Sequence, residues 1–194
     1  MSIGSETDAG VDNIKVWDLS TDGHDGNGVV GLRIKSDGTR GGEVKNVVYK
    51  NVCARRTKDA MVSDPYYSSV PTFVSAPSFH GTTMSGYHYV NFPGSVYNSG
   101  KVTFNGYSSN NSTNPLEMTL DDVIFDDAPT VVTSAHNGGP PPVSNAQFTF
   151  GPGPVSFTMP AGATVKITDE RTATPPPIDC SAAFEAFPSP ASPF

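Results

Sequence analysis

The 194-residue sequence lacks the features that mark membrane and nucleic-acid-binding proteins. It has no run of 18 apolar residues, so the sequence predicts no transmembrane helix. Its net charge of −7 argues against nucleic acid as the main partner. The opening residues 1–6 contain neither a basic nor an apolar segment, which predicts no signal peptide in this chain. We therefore interpret the chain as either cytosolic or without its natural beginning.

Cysteine and helix-forming patterns are also scarce. Cys53 and Cys180 are the two cysteines. They can form a disulfide in an oxidising compartment, but Cys53 also follows an apolar strand position and suits a buried free thiol, so both alternatives stay open. We find no helical apolar spacing, whereas 19 glycines and 18 prolines indicate a turn-rich all-β protein. The length is sufficient for one sizeable core.

A spaced pattern recurs along the chain and predicts stacked turns of short strands. Apolar residues lie at positions x, x+2 and x+5, and Asp, Asn or Gly lies at x+4, where a corner requires a left-handed backbone. The copies are Ile14-x-Val16-x-Asp18-Leu19, Val47-x-Tyr49-x-Asn51-Val52, Val102-x-Phe104-x-Gly106-Tyr107 and Met118-x-Leu120-x-Asp122-Val123. Such stacking is typical of a parallel β-solenoid.

The second half of the chain is less regular. Residues 70–100 predict an irregular turn with long loops, and strands at about 146–150, 154–158 and 164–168 are expected to be antiparallel or edge-like. We assign residues 1–171 to a partial β-helix domain and 172–194 to a proline-rich tail. The tail is expected to pack on the body through Phe184, Phe187 and Phe194.

The stretch Arg33-Ile34-Lys35 carries the strongest chemical signal. In a strand its two cations project from one face, about 7 Å apart, and the apolar residues point into the core. Residues 33–58 hold eight cations against Asp37 and Glu43, a local charge of +6. This pattern predicts a surface that binds an anionic ligand. The alternative is a solvated charged edge that prevents strand aggregation.

Three motifs in order resemble a known family. Residues 1–6 (Met-Ser-Ile-Gly-Ser-Glu), Arg33-Ile34-Lys35 and residues 41–49 (Gly-Gly-Glu-Val-Lys-Asn-Val-Val-Tyr) together resemble the polygalacturonases of glycoside hydrolase family 28, above all the bacterial members. The likeness is specific over residues 1 to about 70 and looser as far as Asp179-Cys180. It implies a right-handed parallel β-helix, a pectin lyase-like solenoid, that hydrolyses α-1,4-galacturonan with inversion and needs no cofactor.

The resemblance also implies roles for individual residues. Arg33 and Lys35 correspond to the pair that binds the carboxylate of the substrate. A guanidinium can make a two-point contact with a carboxylate, and an ammonium acts as a point charge. A cleft tyrosine is expected about thirty residues after Lys35, which makes Tyr66 and Tyr67 the candidates. The sequence does not choose between them, and aromatic packing on a neighbouring turn is the alternative for both.

The catalytic motifs of the family do not appear here. Its acids come from Asn-Thr-Asp and Asp-Asp motifs and its histidine from Gly-His-Gly, all before the Arg-Ile-Lys motif. The pairs Asp121-Asp122 and Asp126-Asp127 instead follow Arg33. We expect a C-terminal portion of such an enzyme, truncated on its N-terminal side, inactive alone, from an extracellular or periplasmic parent. A non-catalytic solenoid that binds acidic polysaccharide is the alternative.

Three further expectations follow from these patterns. An uncapped solenoid end exposes apolar surface and strand edges, so we expect poor solubility or self-association of the isolated chain, which a monodisperse monomer would contradict. Residues 22–28 resemble a calcium loop but lack its terminal glutamate, so a turn is preferred. We predict no metal site, because His80, His88 and His136 have no supporting cysteine or acidic spacing.

Overall fold

A computed structural model describes residues 1–67, 76–108, 113–132, 143–160, 164–172 and 174–185. These residues form sixteen β-strands and no helix. The strands are β1 (Ser2–Ile3), β2 (Val11–Asp12), β3 (Lys15–Asp22), β4 (Val30–Lys35), β5 (Glu43–Lys45), β6 (Val48–Arg55), β7 (Asp59–Asp64), β8 (Ser78–His80), β9 (Thr82–Tyr89), β10 (Lys101–Phe104), β11 (Tyr107–Ser108), β12 (Thr113–Asn114), β13 (Leu116–Phe125), β14 (Thr130–Val131), β15 (Ala146–Phe150) and β16 (Val165–Asp169).

Fourteen of these strands stack into three parallel sheets along the axis of a coil, and β11 and β12 form a separate antiparallel pair. The first sheet has the order β1-β4-β7-β10-β14, the second β2-β5-β8, and the third β16-β15-β13-β9-β6-β3. The first three turns each place one strand in every sheet, which makes the fold a parallel β-solenoid of about four turns. The expected all-β parallel β-helix is thereby confirmed. In the part of the chain described, no helix is long and apolar enough to span a membrane.

A ladder of corner residues bends the third sheet. Asp18, Asn51 and Asp122 have φ angles of 53°, 54° and 53°, and Gly86 occupies the same corner with φ of 76°. The amide of Asn51 donates a hydrogen bond of 3.1 Å to the carboxylate of Asp18 in the turn 33 residues earlier. The left-handed backbone predicted at Asp18, Asn51 and Asp122 is confirmed, whereas the one predicted at Gly106 is wrong. The hydrogen bond ties successive turns together.

One predicted copy of the repeat was wrong. Val102 and Phe104 lie on β10, in the first sheet, whereas the equivalent turn of the third sheet is formed by Met84, Gly86 and Tyr87 on β9. Both stretches point apolar residues inward, so spacing alone could not separate them. The prediction of an irregular turn is likewise wrong for β8 and β9, while residues 90–100 form a loop. Residues 68–75 lie outside the described part.

A cluster of aromatic rings from successive turns packs in the interior. Phe125 is 4% exposed, and its ring centroid lies 5.3 Å from that of Tyr89 and 5.4 Å from that of Phe157. Tyr87 contacts the same ring at 5.6 Å. Rings from successive turns therefore meet at one level, as expected when strands pair in register.

The late strands extend the third sheet in parallel. β15 pairs with β13 and with β16, each time in parallel register, so the antiparallel alternative was wrong, whereas β16 is an edge strand, as the other alternative expected. Alternation of buried and exposed residues along β15 places Ala146, Phe148 and Phe150 in the core, which continues the stack of the earlier turns. Around residues 154–158 the only pairing described is an isolated parallel bridge between Val155 and Val123.

Residues 174–185 contact the outer face of the third sheet. Cys180 forms a disulfide with Cys53 on β6, which decides between the two alternatives for these cysteines. The ring of Phe184 lies 4.1 Å from the guanidinium carbon of Arg55, and the carbonyl of Ile178 lies 3.2 Å from Nδ1 of His88. Phe187 and Phe194 lie outside the described residues.

Candidate substrate-binding site

Arg33 and Lys35 lie on the outer face of β4, next to the chain start. Their strand neighbours Leu32 and Ile34 are 3% and 2% exposed, so the alternation predicted for this strand is confirmed. Arg33 donates a hydrogen bond of 3.2 Å from Nε to the hydroxyl of Ser2 on the adjacent strand. Among the described residues neither cation forms a salt bridge, which leaves both charges available to a ligand.

The ring of Tyr67 covers this cation pair from one side. Lys35 Nζ lies 3.6 Å from the centroid of the Tyr67 ring, and the guanidinium carbon of Arg33 lies 5.8 Å from it. The side chain remains accessible, since Tyr67 is 42% exposed. A hydrogen bond from Lys35 and its positive charge lower the pKa of the Tyr67 hydroxyl. Cation–π contact therefore holds the three side chains as one group.

Tyr66, by contrast, is buried and packs against another tyrosine. It is 7% exposed and stacks on Tyr107, with ring centroids 5.6 Å apart. Its hydroxyl donates to the carbonyl of Ser108 at 3.0 Å and accepts from the amide of the same residue at 2.7 Å. Burial raises the pKa of Tyr66. Of the two candidate tyrosines, the geometry therefore brings Tyr67 to the cations and buries Tyr66 in packing.

A network of buried polar groups, missed by our sequence reasoning, holds Tyr67 in place. The Tyr67 amide donates to the carbonyl of Ser36 at 3.0 Å, and the Ser36 amide donates to the carbonyl of Asp64 at 3.1 Å. The Asp64 carboxylate accepts from the Tyr66 amide at 2.9 Å. The hydroxyls of Ser36 and Thr7 are 2.7 Å apart. The Asp64-Pro65 step was the available signal, since Asp before Pro favours a turn.

The other cations of residues 33–58 are dispersed over the molecule. Arg40 pairs with Glu6 at 2.8 Å, and Lys45 pairs with Glu43 at 2.7 Å. Arg55 lies on the third sheet. The local charge of +6 is therefore not one continuous surface, and the candidate anion site reduces to the cations beside Tyr67.

The loop that resembles a calcium site is neutralised by arginine. Asp22 pairs with Arg55 through Nε at 2.8 Å and also with Arg56. Burial raises the pKa of Asp22, but hydrogen bonds from Arg56, the His24 amide and Arg55 outweigh it and hold that pKa well below its ordinary value of 3.8. The Asp22 carboxylate, which a calcium ion would need as a ligand, is therefore already paired with two guanidinium groups.

Histidines likewise form pairs in the described part. His80 lies 3.3 Å from Glu117, and His88 lies 2.7 Å from Asp126. No group of three metal-ligating side chains occurs among the described residues, and His136 lies outside them.

Asp22 makes stability depend on pH. Because its folded-state pKa is lowered, its contribution is present above the unfolded-state pKa and is lost as pH falls below about 4. We expect Asp22→Asn to reduce the free energy of unfolding at pH 6 by about 1.5–3 kcal/mol, with a smaller difference at pH 2. Urea unfolding of both proteins at the two pH values measures this, and a difference independent of pH would contradict it.

The two Asp-Asp pairs lie away from the cations. Asp121 and Asp122 belong to β13 of the third sheet, whereas Arg33 belongs to the first. The Asp121 carboxylate accepts from the amide of Gly153 at 2.6 Å. Burial and the charge of Asp121 raise the pKa of Asp122, although His88 opposes this effect. Asp126 is bound by His88. Neither pair is therefore placed beside the cation pair.

Comparison with known proteins identifies the family of the chain. The model of glycosyl hydrolases family 28 matches residues 1–137. A polygalacturonase of Ralstonia nicotianae is 43% identical over 188 residues, which cover 95% of this chain and 35% of that protein. A polygalacturonase of Ralstonia solanacearum is 42% identical over the same lengths. The chain thus spans about a third of the curated relatives it matches. No solved structure matches it. The chain belongs to glycosyl hydrolases family 28.

Proposed function

We propose that Arg33, Lys35 and Tyr67 form the carboxylate-binding part of a galacturonan cleft in an inverting, pectin-degrading polygalacturonase. The observation that carries this proposal is the pair of cations on one strand face, without salt bridges in the described part, beside an accessible aromatic ring. Arg33 can bind a carboxylate at two points, and Lys35 adds a second charge at its edge. The Tyr67 ring forms a wall against which a sugar can rest.

These 194 residues are expected to bind the polymer without cutting it. Inverting hydrolysis requires a carboxylic acid and a carboxylate base about 6.5–9.5 Å apart, with a water between them. The family motifs that supply them do not precede Arg33 here, and the later pairs Asp121-Asp122 and Asp126-Asp127 lie on or after β13 of another sheet. The catalytic acids would therefore belong to parts of a longer protein.

The disulfide supports an extracellular or periplasmic location for such a protein. Disulfides persist in oxidising compartments and are rare in the reducing cytosol. The bond between Cys53 and Cys180 is consistent with a secreted polygalacturonase, and it argues against the cytosolic alternative. Pectin and its oligosaccharides would be encountered in the same compartment.

Binding of oligogalacturonate to variants tests the proposal. Replacing Arg33 by alanine removes a charge-assisted contact, and we expect about a ten- to hundredfold weaker binding. Calorimetric titration at two salt concentrations measures this, with wild-type affinity falling at higher salt. Lys58→Ala is the matched control, because Lys58 contacts Asn27 and lies four residues before Val62, the register partner of Arg33.

Two outcomes would contradict the proposal. Equal affinity of wild type and Arg33→Ala would leave the cation pair without a ligand role. Release of reducing ends from polygalacturonate by the 194-residue chain would show that it contains its own catalytic acids. Binding without any hydrolysis in a longer protein that carries this chain would favour the non-catalytic polysaccharide-binding solenoid.

A further inference from the structure

An exposed tryptophan lies on a different face of the solenoid from the candidate cleft. Trp17, the single tryptophan of the chain, is 64% exposed on the outer face of β3 in the third sheet. Its strand neighbours Val16 and Leu19 pack against the core, so the tryptophan itself is not needed there. An exposed tryptophan on the face of a sheet offers a large aromatic surface against which a sugar ring can pack.

Two lysines flank this ring. Lys50 on β6 is the register partner of Trp17, about 4.8 Å away along the sheet. Lys15 projects from the same face of β3, about 7 Å from Trp17 along the strand. Both lysines are exposed, and neither forms a salt bridge within the described ranges. An aromatic platform with one cation across the sheet and another along its own strand is complementary to a sugar that carries a carboxylate.

A row of hydroxyl groups continues the surface along the solenoid. Lys15 on β3 pairs in register with Val48 on β6. At the same register position, the next four strands of the third sheet each carry a threonine. The row consists of Thr83, Thr119, Thr149 and Thr168. These side chains are half-buried or exposed. A flat row of hydroxyls can exchange hydrogen bonds with the hydroxyls of an extended sugar chain.

Three carboxylates on or beside this face are already engaged, and one of them, Glu117, lies 3.3 Å from His80. Asp18 accepts from Asn51 at 3.1 Å, and Asp121 accepts from the Gly153 amide at 2.6 Å. The segment 174–185 contacts the third sheet through Cys53 and His88, which follow the left-handed corner residues of β6 and β9. Trp17, the two lysines and the threonine row instead lie on the parts of these strands that precede the corner.

We propose that Trp17, Lys15 and Lys50 form a second, non-catalytic binding site for acidic polysaccharide on the outer face of the third sheet. The nature of the polymer rests on the proposed function. Trp17 supplies a platform for a pyranose ring, the lysines bind carboxylates, and the threonine row extends the contact. A polymer held on this face in addition to the cleft would remain near the protein between encounters with the cleft.

The single tryptophan makes a direct test available. Oligogalacturonate titrated into the wild-type chain is expected to change Trp17 fluorescence, and Arg33→Ala should retain that change with an unaltered midpoint. Lys15→Ala/Lys50→Ala should shift the midpoint about tenfold upward, whereas the Lys58→Ala control should not. A fully methyl-esterified oligomer should bind this site about tenfold more weakly, because it lacks the carboxylates.

Each contrary result has a distinct meaning. Unchanged Trp17 fluorescence at saturating oligogalacturonate, or an unchanged midpoint in the double lysine variant, would overturn the second site. Equal affinity for the esterified and the free-acid oligomer would contradict the proposal that this site recognises carboxylates. If Arg33→Ala leaves total binding unchanged while the Trp17 signal responds, the proposed cleft fails and the second site stands. Thermal unfolding of each variant confirms that these surface substitutions leave the fold intact.

Discussion

Replacing Cys53 and Cys180 together with alanine is expected to lower the free energy of unfolding by about 2–5 kcal/mol. The disulfide joins positions 127 residues apart, so it restricts a long loop of the unfolded chain. It also holds the segment 174–185 against the outer face of the third sheet. Urea unfolding of the wild type and the double variant, without reductant, measures the loss.

A second variant separates the covalent bond from the contacts around it. Phe184→Ala keeps the disulfide and removes the ring that lies against Arg55. We expect it to cost about 0.5–1 kcal/mol, because an accessible cation–π contact contributes little more. Equal stability of the oxidised wild type and the double cysteine variant would show that this bond does not stabilise the fold, and titratable thiols in unreduced protein would show that it does not form.

Replacing Phe125 with alanine is expected to cost about 3–5 kcal/mol of unfolding free energy. Phe125 contacts Tyr87, Tyr89 and Phe157 at ring distances of 5.6, 5.3 and 5.4 Å, so it joins residues of three successive turns. Truncation leaves a cavity that stacked turns cannot readily close, because their spacing is set by backbone hydrogen bonds. Chemical denaturation measures the change.

Ile167→Ala is the matched control for this prediction. Ile167 lies on β16 and is 45% exposed, so its truncation should change stability by no more than about 0.5 kcal/mol. Phe125→Leu should fall between the two, since it retains much of the apolar volume. A loss below about 1 kcal/mol for Phe125→Ala would contradict the placement of this ring in the core.

Local sequence patterns predicted much of the solenoid because its rules act over a few residues. The side-chain period of two sends Leu32 and Ile34 inward and Arg33 and Lys35 outward, whatever the next turn contains. Left-handed corners favour Asp, Asn and Gly for steric reasons that are equally local. The same patterns failed for Val102, because a strand of the first sheet and one of the third show the same spacing.

The candidate site was predicted in part. The sequence selected the cation pair but left Tyr66 and Tyr67 equivalent, because both follow the end of β7 at a turn and nothing local says which ring faces the core. Stacking on Tyr107, from a later turn, draws Tyr66 inside and leaves Tyr67 beside Lys35. The same alternation sends Trp17 outward from β3, but whether another segment covers its ring depends on how distant parts of the chain pack.

The sequence by itself determined the all-β class, the stacked turns and the outward cation pair, since each depends on neighbours within about six residues. The tertiary structure alone decided the disulfide, the parallel pairing of β15 and β16, and the separation of the Asp-Asp pairs from Arg33. These features depend on which distant segments meet. In a solenoid, the number of residues in each turn determines which segments meet. Because the loops differ in length, this number cannot be read from the sequence.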